Sequence, residues 1–402
     1  MKNKFLRFLR TVPMKLWVIL VAVVFFSFFS NDFGLVDIQK SAIILAAGVD
    51  KGEEGYRLTT QIAVPKGTDR TTGGTSSVEI TGKGETVSDC VVDIYALTGW
   101  VPKFVFCNLL LIGEETAKEA DVMHVLDFFF RNEYMPDSCF IAVSQGTAEE
   151  MLASQSAVDD TSSLAITRLF SDASEKSGRV MKNTLREFAI SYYGPSASGF
   201  MPFVCSFEQE SGTGSDSSGG GQGGQSGESG GGSQKKEKVY CVRRTALFKG
   251  GKLASILDEE QTFACNLVRG KVFAGSFVVD DNGKPVSITV LENDGGVKLE
   301  TKATPKAKLT VKLTVRLLNR STPSSVDDVS LNVVTPELLQ KAEDTIRTRL
   351  EEVFALLRET GCDLFQLNRS LYRASKEKYE EWKDTLLSAV PTEFEIKMKS
   401  TK

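Results

Sequence analysis

Histidine is almost absent from this sequence of 402 residues, which contains only His124. A metal centre with imidazole ligands needs several histidines, and no Cys-x-x-Cys pair is present to supply thiolates instead. No Ser or Cys lies in a recognisable nucleophile motif, and the glycine-rich stretch lacks the ending of a phosphate-binding loop. We interpret His124, inside an apolar helical segment, as a packed core residue. The sequence therefore predicts a protein without catalytic, cofactor-binding or metal-binding residues.

Acidic clusters are the remaining candidates for catalysis. Glu114–Glu115 and Asp258–Glu259–Glu260 fall where helices are expected to begin, and there a carboxylate complements the helix dipole. We therefore assign them a structural role. A pair of carboxylates that cleaves a glycosidic bond stays open as an alternative, because the sequence does not give the distance between two side chains.

The cysteines number seven, which is odd, and they form no metal-ligand pattern. Several lie within apolar stretches, as Cys107 does, so buried thiols are the favoured interpretation. One disulfide, joining Cys205 to Cys241 across the glycine-rich segment, stays open.

Long hydrophobic runs are scarce as well, and the longest covers residues 16–30. Basic residues precede it and Asp32 follows it, which predicts a basic cytoplasmic tail at 1–15 and export of the rest of the chain. The run is short, about 22 Å as a helix against a bilayer core of about 30 Å. It is either a cleaved signal peptide or a transmembrane signal anchor. Phe28 and Phe29 stand where a cleavage site needs small residues, which favours the anchor.

Composition narrows the function further. Hydrophobic residues make up 41% of the chain, enough for two or three domains with real cores. A single apolar run excludes a channel or a carrier. The formal net charge of −4 becomes more negative without the basic tail, so the exported part is a poor candidate for binding nucleic acid.

The apolar patterns predict an α+β, multi-domain fold of mixed β-sheets packed with helices. Residues 66–84 are predicted to be an exposed loop, and the basic row that alternates along 308–318 favours a solvated sheet face over a partner surface. The predicted strands are 41–49, 56–64, 104–112, 139–143, 239–248, 272–279, 286–291, 308–318 and a last one around Phe394. The predicted helices are 85–97, 120–130, 148–153, 164–191 in two pieces, 259–269, 336–359 and one from Tyr372 to Leu386.

Residues 211–234 consist almost entirely of Gly, Ser and Gln with scattered acids, a composition that cannot bury enough apolar surface to order itself. We predict a flexible linker at 206–238. It separates an N-terminal domain, 38–205, from a C-terminal domain, 239–402, whose further division near residue 270 is left open.

Four segments in this order resemble the C subunits of spore germinant receptors, the Ger(x)C family. The first is the hairpin 43–65 with its G-V-D-K and T-x-Q-I patterns, and the second is LLLIGEETAKE with the helix and strand after it. The third is 245–262, TALFKGGKLASILDEEQT, and the fourth is GCDLFQLNR with Asp363, followed by Trp382 and the closing strand. Three features depart from the family: no lipid-modified Cys follows the apolar run, the Gly/Ser insertion is long, and a second Trp near Trp382 is missing.

The resemblance implies a non-catalytic subunit of a nutrient receptor in the spore inner membrane. Its partners would be a channel-like A subunit and a transporter-like B subunit, and it would lie on the outer face of that membrane. Because no cysteine can take an acyl chain, the resemblance also strengthens the case for a retained anchor at 16–30. The alternatives are an anchored cell-wall enzyme and an extracytoplasmic solute-binding protein.

Overall fold

The computed structural model describes residues 14–29, 41–64, 76–159, 161–208, 238–301, 304–320 and 333–401. Helix α1, Met14–Phe29, is separate from the folded body that begins at residue 42, and we describe it by itself. Its 16 residues correspond to a length of about 24 Å. None of the helices within these described ranges combines the length and apolarity needed to cross a membrane. The predicted linker, 206–238, lies almost wholly outside these ranges, so the predicted division into domains stays a prediction.

The larger of the two sheets has nine strands among the described residues, in the order β3-β2-β1-β5-β6-β7-β8-β9, with β4 paired to β1. Its centre, β1-β5-β6-β7, is parallel, and antiparallel pairs flank it on both sides. The strands are β1 Ser41–Lys51, β2 Tyr56–Val64, β3 Ser76–Gly84, β4 Val101–Lys103, β5 Leu109–Gly113, β6 Phe140–Ser144, β7 Ser198–Glu208, β8 Lys238–Lys249 and β9 Lys252–Leu257.

Helices cover both faces of this sheet. Leu110, Ile112 and Val143 pack on one face with residues of α2, α4 and α8, while Leu109, Leu111 and Ala142 pack on the other with residues of α5 and α6. The helices are α2 Val87–Thr98, α3 Glu114–Glu119, α4 Val122–Arg131, α5 Ala148–Ala153, α6 Ser162–Leu169, α7 Asp172–Lys176 and α8 Leu185–Tyr192. This burial on both faces explains why the central strands read as continuous apolar runs.

The smaller sheet is mixed, in the order β10-β11-β12-β13, with β12 and β13 parallel. Its strands are β10 Ser276–Asp280, β11 Pro285–Glu300, β12 Lys306–Arg320 and β13 Thr392–Ser400. It shares a core with α9 Glu259–Val268, α10 Pro336–Thr360, α11 Leu367–Ala374, α12 Lys376–Trp382 and α13 Leu386–Ala389. Two mixed sheets packed with helices are therefore the architecture of the described chain.

The basic row of β12 meets acids on the neighbouring strand. Lys308 Nζ lies 2.9 Å from a carboxylate oxygen of Glu395 and 3.6 Å from one of Glu393. Lys306 Nζ lies 2.6 Å from Glu393. The predicted alternation is confirmed, since Leu309, Val311, Leu313 and Val315 are all buried. Part of the cationic face is neutralised by ion pairs within the sheet.

Several predicted elements differ from the observed ones. The predicted loop is wrong over residues 76–84, where β3 pairs antiparallel with β2, and residues 66–75 lie outside the described chain. The predicted strand 104–112 begins only at Leu109, because a turn in which Cys107 N–H donates to Phe104 O (2.8 Å) precedes it. Residues 162–192 form three helices and not two, and the chain between residues 367 and 389 also forms three short helices where one was predicted.

Candidate functional site

The one histidine is not a core residue, so that interpretation is wrong. His124 is exposed on α4, whereas its neighbours Met123 and Val125 are buried. An apolar helical segment still has one solvent-facing stripe, and His124 occupies it. Within the described ranges, no group of three or more His, Cys, Asp or Glu side chains is placed to hold a metal ion.

The cysteines divide into one disulfide and buried thiols. Cys205 on β7 and Cys241 on β8 are register partners and form the disulfide that the sequence left open. The five free cysteines, Cys90, Cys107, Cys139, Cys265 and Cys362, are all buried, as expected. Burial raises the pKa of Cys265 and of Cys362 to about 12, so both stay protonated thiols and are poor nucleophiles.

Asp50, in the G-V-D-K pattern, is a buried carboxylate at the end of β1. Its two oxygens accept hydrogen bonds from Ala148 N–H (2.8 Å) and Glu149 N–H (2.9 Å), the first two residues of α5. Burial raises the pKa of Asp50 to about 6, against the hydrogen bond from Ala148 and the charge of Arg57, which lower it. Asp50 therefore acts as a helix cap from a strand nearly one hundred residues away in sequence.

Two glycines make room for this contact. A Cβ atom on Gly113 would lie 2.1 Å from Asp50 Oδ1, and one on Gly48 would lie 2.7 Å from the Cβ of Ala148. Both distances are too short for real atoms. The glycine of G-V-D-K is thus needed so that α5 can approach the sheet closely enough for Asp50 to reach it.

Gln61, in the T-x-Q-I pattern, binds the other end of the same helix. Its side-chain amide donates to Leu152 O (3.4 Å) near the end of α5 and to Ser162 Oγ (3.0 Å), and its carbonyl oxygen accepts from Ser163 N–H (3.2 Å). Gln61 is buried, so these bonds replace those it would make with water. The two hairpin motifs therefore hold α5 by its N-terminal and C-terminal ends.

Asp363, in the GCDLFQLNR segment, is a second buried carboxylate with the same geometry. It accepts from Leu367 N–H and Asn368 N–H at the start of α11, both at 2.8 Å, and from Ser196 Oγ at 2.7 Å. Asp363 N–H donates in turn to Ser198 Oγ (3.0 Å). Burial raises the pKa of Asp363, against these hydrogen bonds, which lower it. The residue fastens α11 to the start of β7 in the larger sheet.

The third motif, residues 245–262, has a buried polar contact between its two ends. Thr245 on β8 and Thr262 on α9 are fully buried, and their hydroxyls lie 3.1 Å apart. Asp258 and Gln261 form the predicted capping box of α9. The acidic clusters also have their predicted positions, with Glu114 and Glu115 in the first turn of α3 and Glu259 and Glu260 in that of α9.

A charged groove of about 450 Å³ lies beside the start of α9. Its cations and anions are already paired with one another, Arg179 with Glu259 and Arg349 with Glu260. Phe263 and Phe277 contribute apolar surface to it. The charges of these four side chains therefore compensate one another within the groove.

The contacts of the motif residues Asp50, Gln61 and Asp363 therefore hold helices and strands of the fold together. The sequence patterns located the segments, but the burial of Asp50 and Asp363 was not predicted. Asp50 binds a helix terminus 98 residues away. Asp363 caps a helix only four residues further on, but it also binds Ser196, 167 residues away. No local pattern reveals these distant contacts. One signal in the sequence does point to Asp50: it is a charged residue near the end of an otherwise apolar strand, and a buried charge needs a partner.

Comparison with known proteins gives the family. Residues 35–205 match the family model of the spore germination protein N-terminal domain, and residues 243–401 match the model described as spore germination B3/GerAC like, C-terminal. The fold is similar to that in a crystal structure of the GerBC protein, with a TM-score of 0.50 and 16% sequence identity. That alignment covers 89% of this chain and 97% of the other.

A search of curated protein sequences gave no match. The two family models together span both sheets and all four motif-bearing segments, in the expected order. The chain therefore belongs to the GerAC family of spore germination proteins.

Proposed function

We propose that this chain is a non-catalytic, membrane-anchored C subunit of a spore nutrient germinant receptor. It assembles with a channel-like A subunit and a transporter-like B subunit on the outer face of the spore inner membrane. There it contributes to receptor assembly and to the signalling that triggers germination. The observation that carries this proposal is the match of both family models, N-terminal and C-terminal, in one chain.

The anchor in this proposal is the segment that forms α1. Its 16 residues include no acidic side chain, and the sequence before residue 16 is basic. Positive charge before the apolar segment favours a cytoplasmic N-terminus. A helix of about 24 Å is shorter than a bilayer core of about 30 Å, and bilayers thin locally around such helices at modest cost.

The disulfide supports an extracytoplasmic location for the folded body. Disulfides persist in oxidising compartments and are rare where glutathione keeps thiols reduced. Cys205–Cys241 also closes the chain across the long Gly/Ser segment, so it fixes the two strands that the segment separates.

The hydrogen bonds of the buried carboxylates and the raised pKa values of the buried thiols support a non-catalytic role. The buried carboxylates Asp50 and Asp363 accept backbone hydrogen bonds with both oxygens, and burial raises the pKa values of the thiols Cys90, Cys265 and Cys362 well above neutrality. These carboxylates hold helix termini in place, and these thiols stay protonated near neutral pH, which favours structural roles for both.

The test is purification of the tagged chain from spore membranes in mild detergent. We expect two further membrane proteins to co-purify, one channel-like and one transporter-like, and the chain to stay in the membrane after alkaline extraction. The matched control is a chain whose residues 1–30 are replaced by a cleavable signal peptide, which alkaline extraction should release. Recovery of the intact chain without membrane-protein partners would contradict the proposal.

A further inference from the structure

Large apolar side chains are exposed together where α2 ends and the chain turns into β5. Leu97 continues the stripe of α2 that includes the buried Cys90 and Ile94, yet it is 63% exposed. Trp100 is 43% exposed and Phe106 is 56% exposed. We call this surface the apolar tip, and it consists of Leu97, Trp100, Val105 and Phe106.

The fold holds the apolar tip in place. Gly99 ends α2 in the left-handed conformation (φ 71°), and Trp100 N–H donates to Thr98 Oγ1 (3.1 Å). Beneath the tip, Phe104 is buried with its ring edge-on to Phe128 and Phe129, at 5.9 and 5.8 Å between ring centroids. The exposed side chains are thus presented by a packed base.

The segment that forms the apolar tip carries little charge of its own. No acidic residue occurs between Asp93 and Glu114, although the chain as a whole is acidic. The one charged residue in that interval is Lys103, whose Nζ lies 4.7 Å from the ring centre of Tyr134. Tyr134 on the neighbouring turn is itself exposed and adds an amphipathic ring beside the tip.

This combination of side chains is the one found where proteins meet lipid. Trp and Tyr are enriched at the membrane–water interface, and a lysine beside them suits anionic headgroups. The short connector between the N-terminal apolar segment and β1 also favours a contact with lipid. Strand β4 pairs with β1, and β1 begins at Ser41, after a connector of about eleven residues, 30–40. Such a connector reaches at most about 40 Å, so an anchored chain keeps β1 near the bilayer.

We propose that the apolar tip rests in the headgroup region of the lipid bilayer, as a second membrane contact beside the anchor. This inference depends on the proposed anchoring of the chain through its N-terminal segment. The contact would fix the orientation of the larger sheet to the membrane, which a connector alone leaves free.

The three tryptophans provide the test, because they occupy three different places. Trp17 lies in α1, Trp100 in the apolar tip, and Trp382 in α12 of the C-terminal part. Three full-length variants, each keeping one Trp and carrying Phe at the other two positions, are reconstituted into phosphatidylethanolamine–phosphatidylglycerol vesicles. Quenching by brominated acyl chains and by aqueous iodide is then measured for each.

We expect brominated lipid to quench most of the emission of Trp100, and iodide to quench little of it. Trp382 should show the opposite. If brominated lipid quenches Trp17 but not Trp100, the bilayer contact of the tip is wrong and the proposed anchor is retained. If brominated lipid does not quench Trp17, the proposed anchor itself is wrong. Protection of Trp100 from both quenchers, dependent on protein density in the vesicle, would assign the tip to a protein contact and overturn the proposal.

Two further substitutions in the Trp100-only chain test whether the quenching of Trp100 depends on the apolar tip. Phe106→Glu in the Trp100-only chain should restore iodide quenching of Trp100 and remove lipid quenching. Val158→Glu, at another exposed apolar side chain outside the tip, should change neither. Equal effects of the two substitutions would contradict the assignment.

Discussion

Ser196 and Asp363 are 167 residues apart in sequence, and the hydroxyl of the first donates a 2.7 Å hydrogen bond to the carboxylate of the second. Both residues are buried. The carboxylate also caps α11, so one side chain fastens a helix of the C-terminal part to the start of β7 in the larger sheet. The two parts of the chain that match the N-terminal and C-terminal family models are therefore joined by a buried polar contact as well as by apolar packing.

Replacing Asp363 should destabilise the whole folded body. Asp363→Ala leaves two helix N–H groups and the Ser196 hydroxyl without their acceptor, and the expected loss is about 3 kcal/mol in the free energy of unfolding. Urea denaturation followed by circular dichroism measures it. Asp384→Ala, at an exposed acid nearby in sequence, is the control and should change stability by less than about 0.5 kcal/mol.

Asp50 should make stability depend on pH. Because the pKa of Asp50 is raised in the folded state to about 6 from 3.8, the folded protein binds this proton more tightly than the unfolded chain does. The contribution of Asp50 is therefore fully present below about pH 4 and is lost as the pH rises through 6, a change of about 3 kcal/mol. Denaturation of wild type and Asp50→Asn between pH 4 and 7.5 should show the difference between them shifting by that amount. Parallel pH profiles would refute the assignment.

The close approach of α5 to β1 predicts a steric coupling. Gly48→Ala places a Cβ 2.7 Å from that of Ala148 and should cost about 1–3 kcal/mol through overpacking. Ala148→Gly removes the clashing atom, so the double variant should be more stable than the sum of the two single changes predicts. A double-mutant cycle by chemical denaturation measures this coupling. Simple additivity would show that the helix shifts aside at no cost.

The disulfide should stabilise the folded state mainly by closing a long loop of the unfolded chain, which lowers the entropy of that chain. Its cysteines are 36 residues apart, for which the chain-entropy relation gives about 4 kcal/mol. Replacing both Cys205 and Cys241 with Ser should lower stability by up to that amount. In a chain that also lacks residues 211–234, the same double substitution should cost about 1 kcal/mol less, because the closed loop is shorter. A cost unaffected by the shortening would argue for an origin in the native sheet.

Local patterns predicted much of the secondary structure. The hairpin of β1 and β2, the capping box of α9, and α10 between Thr335 and Gly361 were all read from residues close together in sequence. Strand β3 was missed because its Gly-, Ser- and Thr-rich sequence resembles a loop, and only pairing with β2 makes it a strand. The apolar side chains of the turn at Phe104–Cys107 predict a strand, although the chain turns there.

The candidate site was harder to predict, for a physical reason. Whether Asp50 is exposed or buried depends on Ala148, and the environment of Asp363 depends on Ser196. The same holds for Leu97, which continues the stripe of Cys90 and Ile94 on α2 and is nevertheless exposed. These properties arise from contacts between distant parts of the chain, and they became visible only in the structure.

The most direct test of the proposed function is deletion of the gene in a bacterium that forms spores with this protein. Germination is followed through the loss of spore refractility after addition of individual nutrients. We expect that spores form normally but fail to respond, or respond slowly, to particular nutrients, and that the wild-type gene restores the response. A normal response of the deletion spores to every nutrient that germinates the parent would contradict it.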